Sequence, residues 1–202
     1  MHLRKSMIKK FFTFLISFFL FFNTSIADDD NILKIGNANA KVKIKVFSSL
    51  TCPHCAKFHL KIFEKLKKEY LDTGKVIFEH HSFPLDMAAL NAEKILRCNL
   101  GIEKSFQLLG EIYKKQEEWA VGSDIKKINE SIKNIGLNYG INDTEIEKCF
   151  KDEKLQDQIL NERIEAQKNY KISSTPTIYI NDKKYEGKHE FKSFKKVLEK
   201  II

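Results

Sequence analysis

Cys52, Pro53, His54 and Cys55 constrain this chain more than any other four residues, because they fall where one periodicity gives way to another. Upstream, Lys41 to Phe47 alternates charged and apolar residues with period two and reads as a strand ending before Ser48 and Ser49. Downstream, Cys55, Phe58, Ile62, Leu66 and Tyr70 recur at helical spacing, with Phe63 beside them. Two thiols therefore sit at a strand-to-helix junction. With Cys52 as the N-cap, Pro53 takes the first helical position, where its missing N–H costs nothing. Cys55 then lies in the first turn with its backbone N–H directed at the Cys52 sulfur.

That placement makes the two thiols unequal. The positive end of the helix favours a thiolate at Cys52, and a protonated His54 would add to the effect. Cys55 shares its face with Phe58 and Ile62 and should be shielded. An exposed acidic thiol beside a shielded one is the division that thiol–disulfide exchange requires: Cys52 reacts, and Cys55 resolves the mixed disulfide. A zinc site is the bland alternative for such a pair, as is an inert structural disulfide. The histidines available to complete a metal site, His80 and His81, are adjacent in a strand and so point to opposite faces. No metal or other cofactor is expected beyond the cysteine pair.

The N-terminus gives the compartment. Arg4, Lys5, Lys9 and Lys10 precede an apolar run from Phe11 to Phe22, and small residues at Ser25 and Ala27 suit a cut after Ala27. These are the parts of a signal peptide, residues 1–27, and the apolar run is short of the ~20 residues that span a bilayer. An extracytoplasmic location such as the periplasm follows. The net charge of +8 (35 bases, 27 acids) overstates the mature chain, because four bases and no acids lie in the leader. Thirty-one bases against 27 acids leave +4, spread over many helical faces, which is no nucleic-acid footprint. Residues 28–202 suffice for one domain with a real core.

Asp28 to Asn31 reads as a solvated start. Lys75 to Phe83 is a second strand ended by Pro84, and helical spacing dominates from Asp86 to Lys171. Helices are expected near 86–99, 103–116, 123–135, 143–151 and 154–170, punctuated by Gly101, Gly122, Gly136 and Gly140. Thr177 to Ile180 is a third strand, Lys184 and Tyr185 a short return, and Phe191 to Ile201 a last amphipathic helix. The architecture is α/β: a βαβ unit and a ββα unit separated by an all-helical insertion, about residues 86–171. Cys98 and Cys149 lie in that insertion on apolar faces. In an oxidising compartment they are expected to form a structural disulfide, two buried free thiols being the alternative. His59 reads as partly exposed, one of His80 and His81 as packed under the sheet, His189 as solvated and Trp119 as core.

The combination of Cys-Pro-His-Cys after a strand with Phe83 to Asp86, Ala88 and Ala89, Arg97 and Cys98, Gln116 to Trp119, and above all Ser174 to Thr177, resembles the DsbA-like thioredoxin family. The likeness runs over about residues 40–202. It implies a thioredoxin-like fold with the helical subdomain inserted, a nucleophile at Cys52, its partner at Cys55, and a cis peptide before Pro176. It also implies that Thr175 and Pro176 bind an extended substrate peptide. Members of the family that bury an acid six positions before the first cysteine differ from this chain, which has Val46 there. The resemblance implies a protein thiol–disulfide oxidoreductase, a dithiol oxidase that passes a disulfide to reduced exported polypeptides and is reoxidised by a membrane quinone-linked partner. The alternatives are a disulfide reductase or isomerase, and a non-catalytic chaperone or metal-binding protein for exported proteins. Dedicated isomerases of the superfamily carry an N-terminal dimerisation domain, and the dozen residues before the first expected strand leave no room for one, so a monomer is expected.

Overall fold

The computed structural model describes residues 32–202; the expected leader and the acidic start at 28–31 lie outside the described residues. The alternating segment forms strand β2, Val42–Ser48, and the second apolar segment forms β3, Val76–Ser82, parallel to it with Val46 opposite His80. Between them a helical run over 53–71 (α1) makes the crossover, starting at Pro53 with Cys52 as N-cap. The run contains two π-helical stretches, His59–Phe63 and Lys67–Leu71, wider turns of the kind often found at functional sites.

The insertion follows as α2 (Met87–Leu96), α3 (Ile102–Lys114), α4 (Gln116–Trp119), α5 (Ile125–Asn138), α6 (Asp143–Lys151) and α7 (Glu153–Tyr170). The Asp86, Asp124, Asn142 and Asp152 side chains cap α2, α5, α6 and α7 by accepting from first-turn N–H groups. The chain then returns as β4 (Thr177–Ile180), antiparallel to β2, the two-residue β5 (Lys183–Lys184), and the helix α8 (Phe191–Leu198).

One strand was not anticipated. Leu33–Gly36 (β1) pairs antiparallel with β3 and completes a five-stranded sheet of order β1-β3-β2-β4-β5. Four residues are too few for alternation to register. At its end Gly36 has φ 109°, and a Cβ there would run into the Val76 carbonyl. Glycine closes the strand where the two backbones approach.

Helices cover both faces of β3, and all seven of its residues are buried. Both of its histidines are therefore inside, where one was expected. His80 bonds Glu93 of α2 at 2.8 Å on one face, and His81 bonds Glu79 at 3.0 Å on the other, against the Phe47 ring. Gly136 does not end its helix, as its punctuating role in the sequence suggested. It lies inside α5, where a Cβ would crowd Ile95 and Ile146 at 3.1 and 3.3 Å, so it serves close packing. Cys98 and Cys149 are joined, with Cα atoms 5.9 Å apart, tying the end of α2 to α6. Among the described residues no helix is long and apolar enough to cross a membrane.

Candidate active site

Cys52 and Cys55 are both free thiols at the start of α1. Three elements brought from far apart in the chain position them. The cis Thr175–Pro176 peptide before β4 sets the Thr175 carbonyl 3.4 Å from Cys52 Sγ, which donates to it. Buried Gln116, at the start of α4, donates through Nε2 to the carbonyls of Leu50 (2.7 Å) and Cys52 (3.2 Å), fixing the turn that carries the motif. Thr51 donates to Asp86 at 2.7 Å, and Asp86 also caps α2, so the insertion is tied to the same turn.

The expectation of an exposed nucleophile needs correction. Cys52 is 7% exposed against 1% for Cys55, because the loop at Thr175 lies over it. The asymmetry between the thiols comes from hydrogen bonding at Cys52 and from burial at Cys55. A hydrogen bond from the Cys55 thiol dominates over burial at Cys52. Together with the Thr175 hydroxyl and the backbone N–H groups of Cys55 and His54, it lowers Cys52 from 9.0 to about 5. Burial, the Cys52 hydrogen bond and the Cys52 charge push Cys55 far up. The Cys52 sulfur accepts no ordinary capping bond, yet the helix N-terminus still favours its charge. The His54 side chain is exposed, and the backbone N–H of the same residue is among the groups that lower Cys52.

Thr175 Oγ1 is buried, has no conventional partner among the described residues, and favours the thiolate of both cysteines. Beneath the pair, His59 corrects another expectation. It is buried, not partly exposed, because α3 covers the side of α1 that carries it. Its ring stacks on Phe63 at 4.4 Å and lies 5.2 Å from Tyr113. Burial first, then the neighbouring His80, lowers His59 to about 3, so the imidazole is neutral. Trp119 is core, donating to the Ile112 carbonyl at 2.8 Å, and His189 is exposed. His80 and His81 are committed to carboxylates on opposite faces of β3 and do not converge on the cysteines.

The chain matches the family described as Thioredoxin over residues 28–200. A Rickettsia bellii protein named "Putative protein-disulfide oxidoreductase" is 30% identical over 182 residues, covering 90% of this chain and 68% of the relative. The chain belongs to the DsbA-like thioredoxin family. Among solved structures, alpha-DsbA1 of Wolbachia pipientis superposes with TM-score 0.78 at 27% identity, covering 85% of this chain and 90% of that one. Disulfide bond formation protein D of Bacillus subtilis is 26% identical over 180 residues, 83% of this chain and 76% of the relative. This DsbA-like chain spans about two thirds or less of its rickettsial relatives, 68% of the R. bellii protein and 62% of that from Rickettsia prowazekii. The shared fold is the mixed sheet with the helical insertion described above.

Gln116 is the site residue that sequence reasoning left without a role. Its signal was present, since a glutamine amid charged residues just before the sole tryptophan belongs to the segment that carried the family likeness. Its contact to the motif depends on α4 reaching the turn between β2 and α1, which no local pattern encodes.

Proposed function

We propose that the protein is an exported thiol–disulfide oxidoreductase that donates a disulfide from Cys52 and Cys55 to folding exported polypeptides. A substrate thiolate attacks Cys52 Sγ, the Cys52–Cys55 bond breaks, and Cys55 leaves and takes up a proton. The second substrate thiolate then attacks the substrate sulfur of the mixed disulfide, and Cys52 departs as a thiolate. Two electrons pass from the substrate dithiol to the cysteine pair. The observation that carries this reading is the split between the thiols, Cys52 at about 5 and Cys55 pushed far up by burial. A low-pKa thiol leaves faster, and a stabilised thiolate makes the disulfide a stronger oxidant.

In this reading Thr175 and Pro176 seat the substrate backbone beside the sulfurs, and Pro53 fixes helix geometry. The Cys98–Cys149 bridge is structural, since it lies in the insertion and ties the end of α2 to α6. Residues 1–27 direct export to the periplasm or an equivalent space, the protein acts as a monomer, and a membrane quinone-linked enzyme reoxidises it. Cys52→Ser should abolish exchange, whereas Cys55→Ser should accumulate mixed disulfides that non-reducing gels resolve. Thiol trapping in cells supplies the direction: a pair oxidised at steady state marks a donor, and a reduced pair would replace this reading with a reductase or isomerase.

A further inference from the structure

Beside the cysteine pair the surface carries a charge pattern that the redox chemistry does not use. Lys57, Lys61 and Lys65 recur every fourth residue along α1, all exposed, and all three line one cleft of about 390 Å3. Among the described residues none of the three has a carboxylate within ion-pair distance, although eight other lysines do. Buried Phe58 and Ile62 add an apolar lining, and His189, Glu190 and Phe191 line the cleft from the chain after β5. Lys65 Nζ lies 5.8 Å from the centre of the Phe191 ring. With His54 at the mouth, the cleft holds three lysines and two histidines against one glutamate.

The cleft borders the active-site motif, since His54 lines it. His189 also lines a second, shallower groove of about 200 Å3 that contains Pro176, Thr177 and Tyr185. A chain lying beside Pro176 therefore meets His189 next and then the lysine row. Along a helix Lys57 is about 8 Å and Lys65 about 20 Å from Cys52. An extended polypeptide covers those distances in about two and about six residues.

We propose that Lys57, Lys61 and Lys65 make this cleft select an acidic polypeptide segment, carrying an apolar or aromatic anchor, two to six residues from the cysteine that reacts with Cys52. The inference rests on the reading of Cys52 and Cys55 as the exchange pair and adds a preference among partners. The lysines supply long-range attraction and register, and the Phe58 and Phe191 side takes the anchor. A concave cleft with an apolar lining fits a side chain better than a flat anionic lipid surface, which is the competing occupant of a lysine row.

Three single-cysteine peptides of equal length test it: acidic residues at positions two to six from the cysteine, the same acidic block moved beyond position ten, and lysines at two to six. The oxidised full-length protein should react with the first about tenfold faster than with the third at low salt, with the second between them. The preference should collapse toward unity at high salt and reverse in Lys57→Glu/Lys61→Glu. Equal rates for all three, or a preference untouched by the charge reversal, would overturn the proposal. Fluorescence anisotropy with serine replacing each peptide cysteine reads docking without redox chemistry. If no peptide is oxidised yet the acidic serine peptide binds selectively, the exchange reading fails and the docking site stands. Co-sedimentation with phosphatidylglycerol vesicles, sensitive to the same charge reversal and without peptide selectivity, would replace the peptide with a membrane surface.

Discussion

The hydrogen bond from the Cys55 thiol is the leading cause of Cys52 acidity, so replacing Cys55 with alanine should undo a measurable part of it. Lowering a thiol from 9.0 to about 5 corresponds to about 5 kcal/mol of preference for the thiolate when fully expressed. The sign follows from the depressed value: the stabilisation is complete above 9.0 and is lost as pH falls through about 5. At pH 7 about half remains, ~3 kcal/mol, which for a two-electron couple makes the disulfide ~60 mV more oxidising than with an unperturbed thiol. A hydrogen bond to a charged acceptor contributes about 1.5–3 kcal/mol, so Cys55→Ala should raise Cys52 by ~1–2 pH units. Thiolate absorbance of the reduced protein, titrated from pH 3 to 10, measures this in wild type and variant side by side. A wild-type thiolate appearing only near pH 9 would refute the electrostatic account. So would a Cys55→Ala curve superimposed on the wild-type one, which would move the cause to the backbone N–H groups.

Four further outcomes are expected. Thr175→Val, which keeps the backbone and removes the hydroxyl, should raise Cys52 by less than Cys55→Ala does, since the Thr175 bond ranks below that of Cys55; the same titration reads it. Gln116→Leu should leave the Leu50 carbonyl without this donor, while the Cys52 carbonyl keeps the N–H groups of Cys55 and Ala56, costing ~1–3 kcal/mol in denaturant unfolding and slowing exchange. Burial alone would raise Glu79, but the hydrogen bonds and charges of His81 and Lys43 outweigh it and hold the carboxyl at about 2. Its contribution of ~3 kcal/mol is thus present above 4.5 and lost as pH falls through about 2, and Glu79→Gln should flatten that acid limb of the stability curve. Cys98→Ala/Cys149→Ala opens a 51-residue separation and should cost ~4 kcal/mol by chain entropy while the protein still oxidises a reduced model substrate. Loss of oxidation in that variant while it remains folded would make the bridge part of the redox path.

The sequence by itself determined whatever is local. The period-two run before Cys52 and the helical spacing after it dictate a strand-to-helix junction, and Pro53 dictates which residue caps the helix. The helix N-terminus then favours a thiolate at Cys52, whereas the burial that raises Cys55 and the Thr175 contact come from the tertiary structure. Gly136, Leu33 to Gly36 and His59 show where such reading ends. Glycine inside α5 lies against Ile95 and Ile146, 41 positions upstream and 10 downstream in the chain, which a Cβ would crowd. A four-residue strand becomes one only by pairing with β3, and a histidine is buried only because a helix from the insertion lies across it. The degree of burial at Cys52 was likewise set by Thr175, 123 positions away. Tertiary structure decided these features because burial and pairing belong to two surfaces at once, and a local pattern describes only one of them.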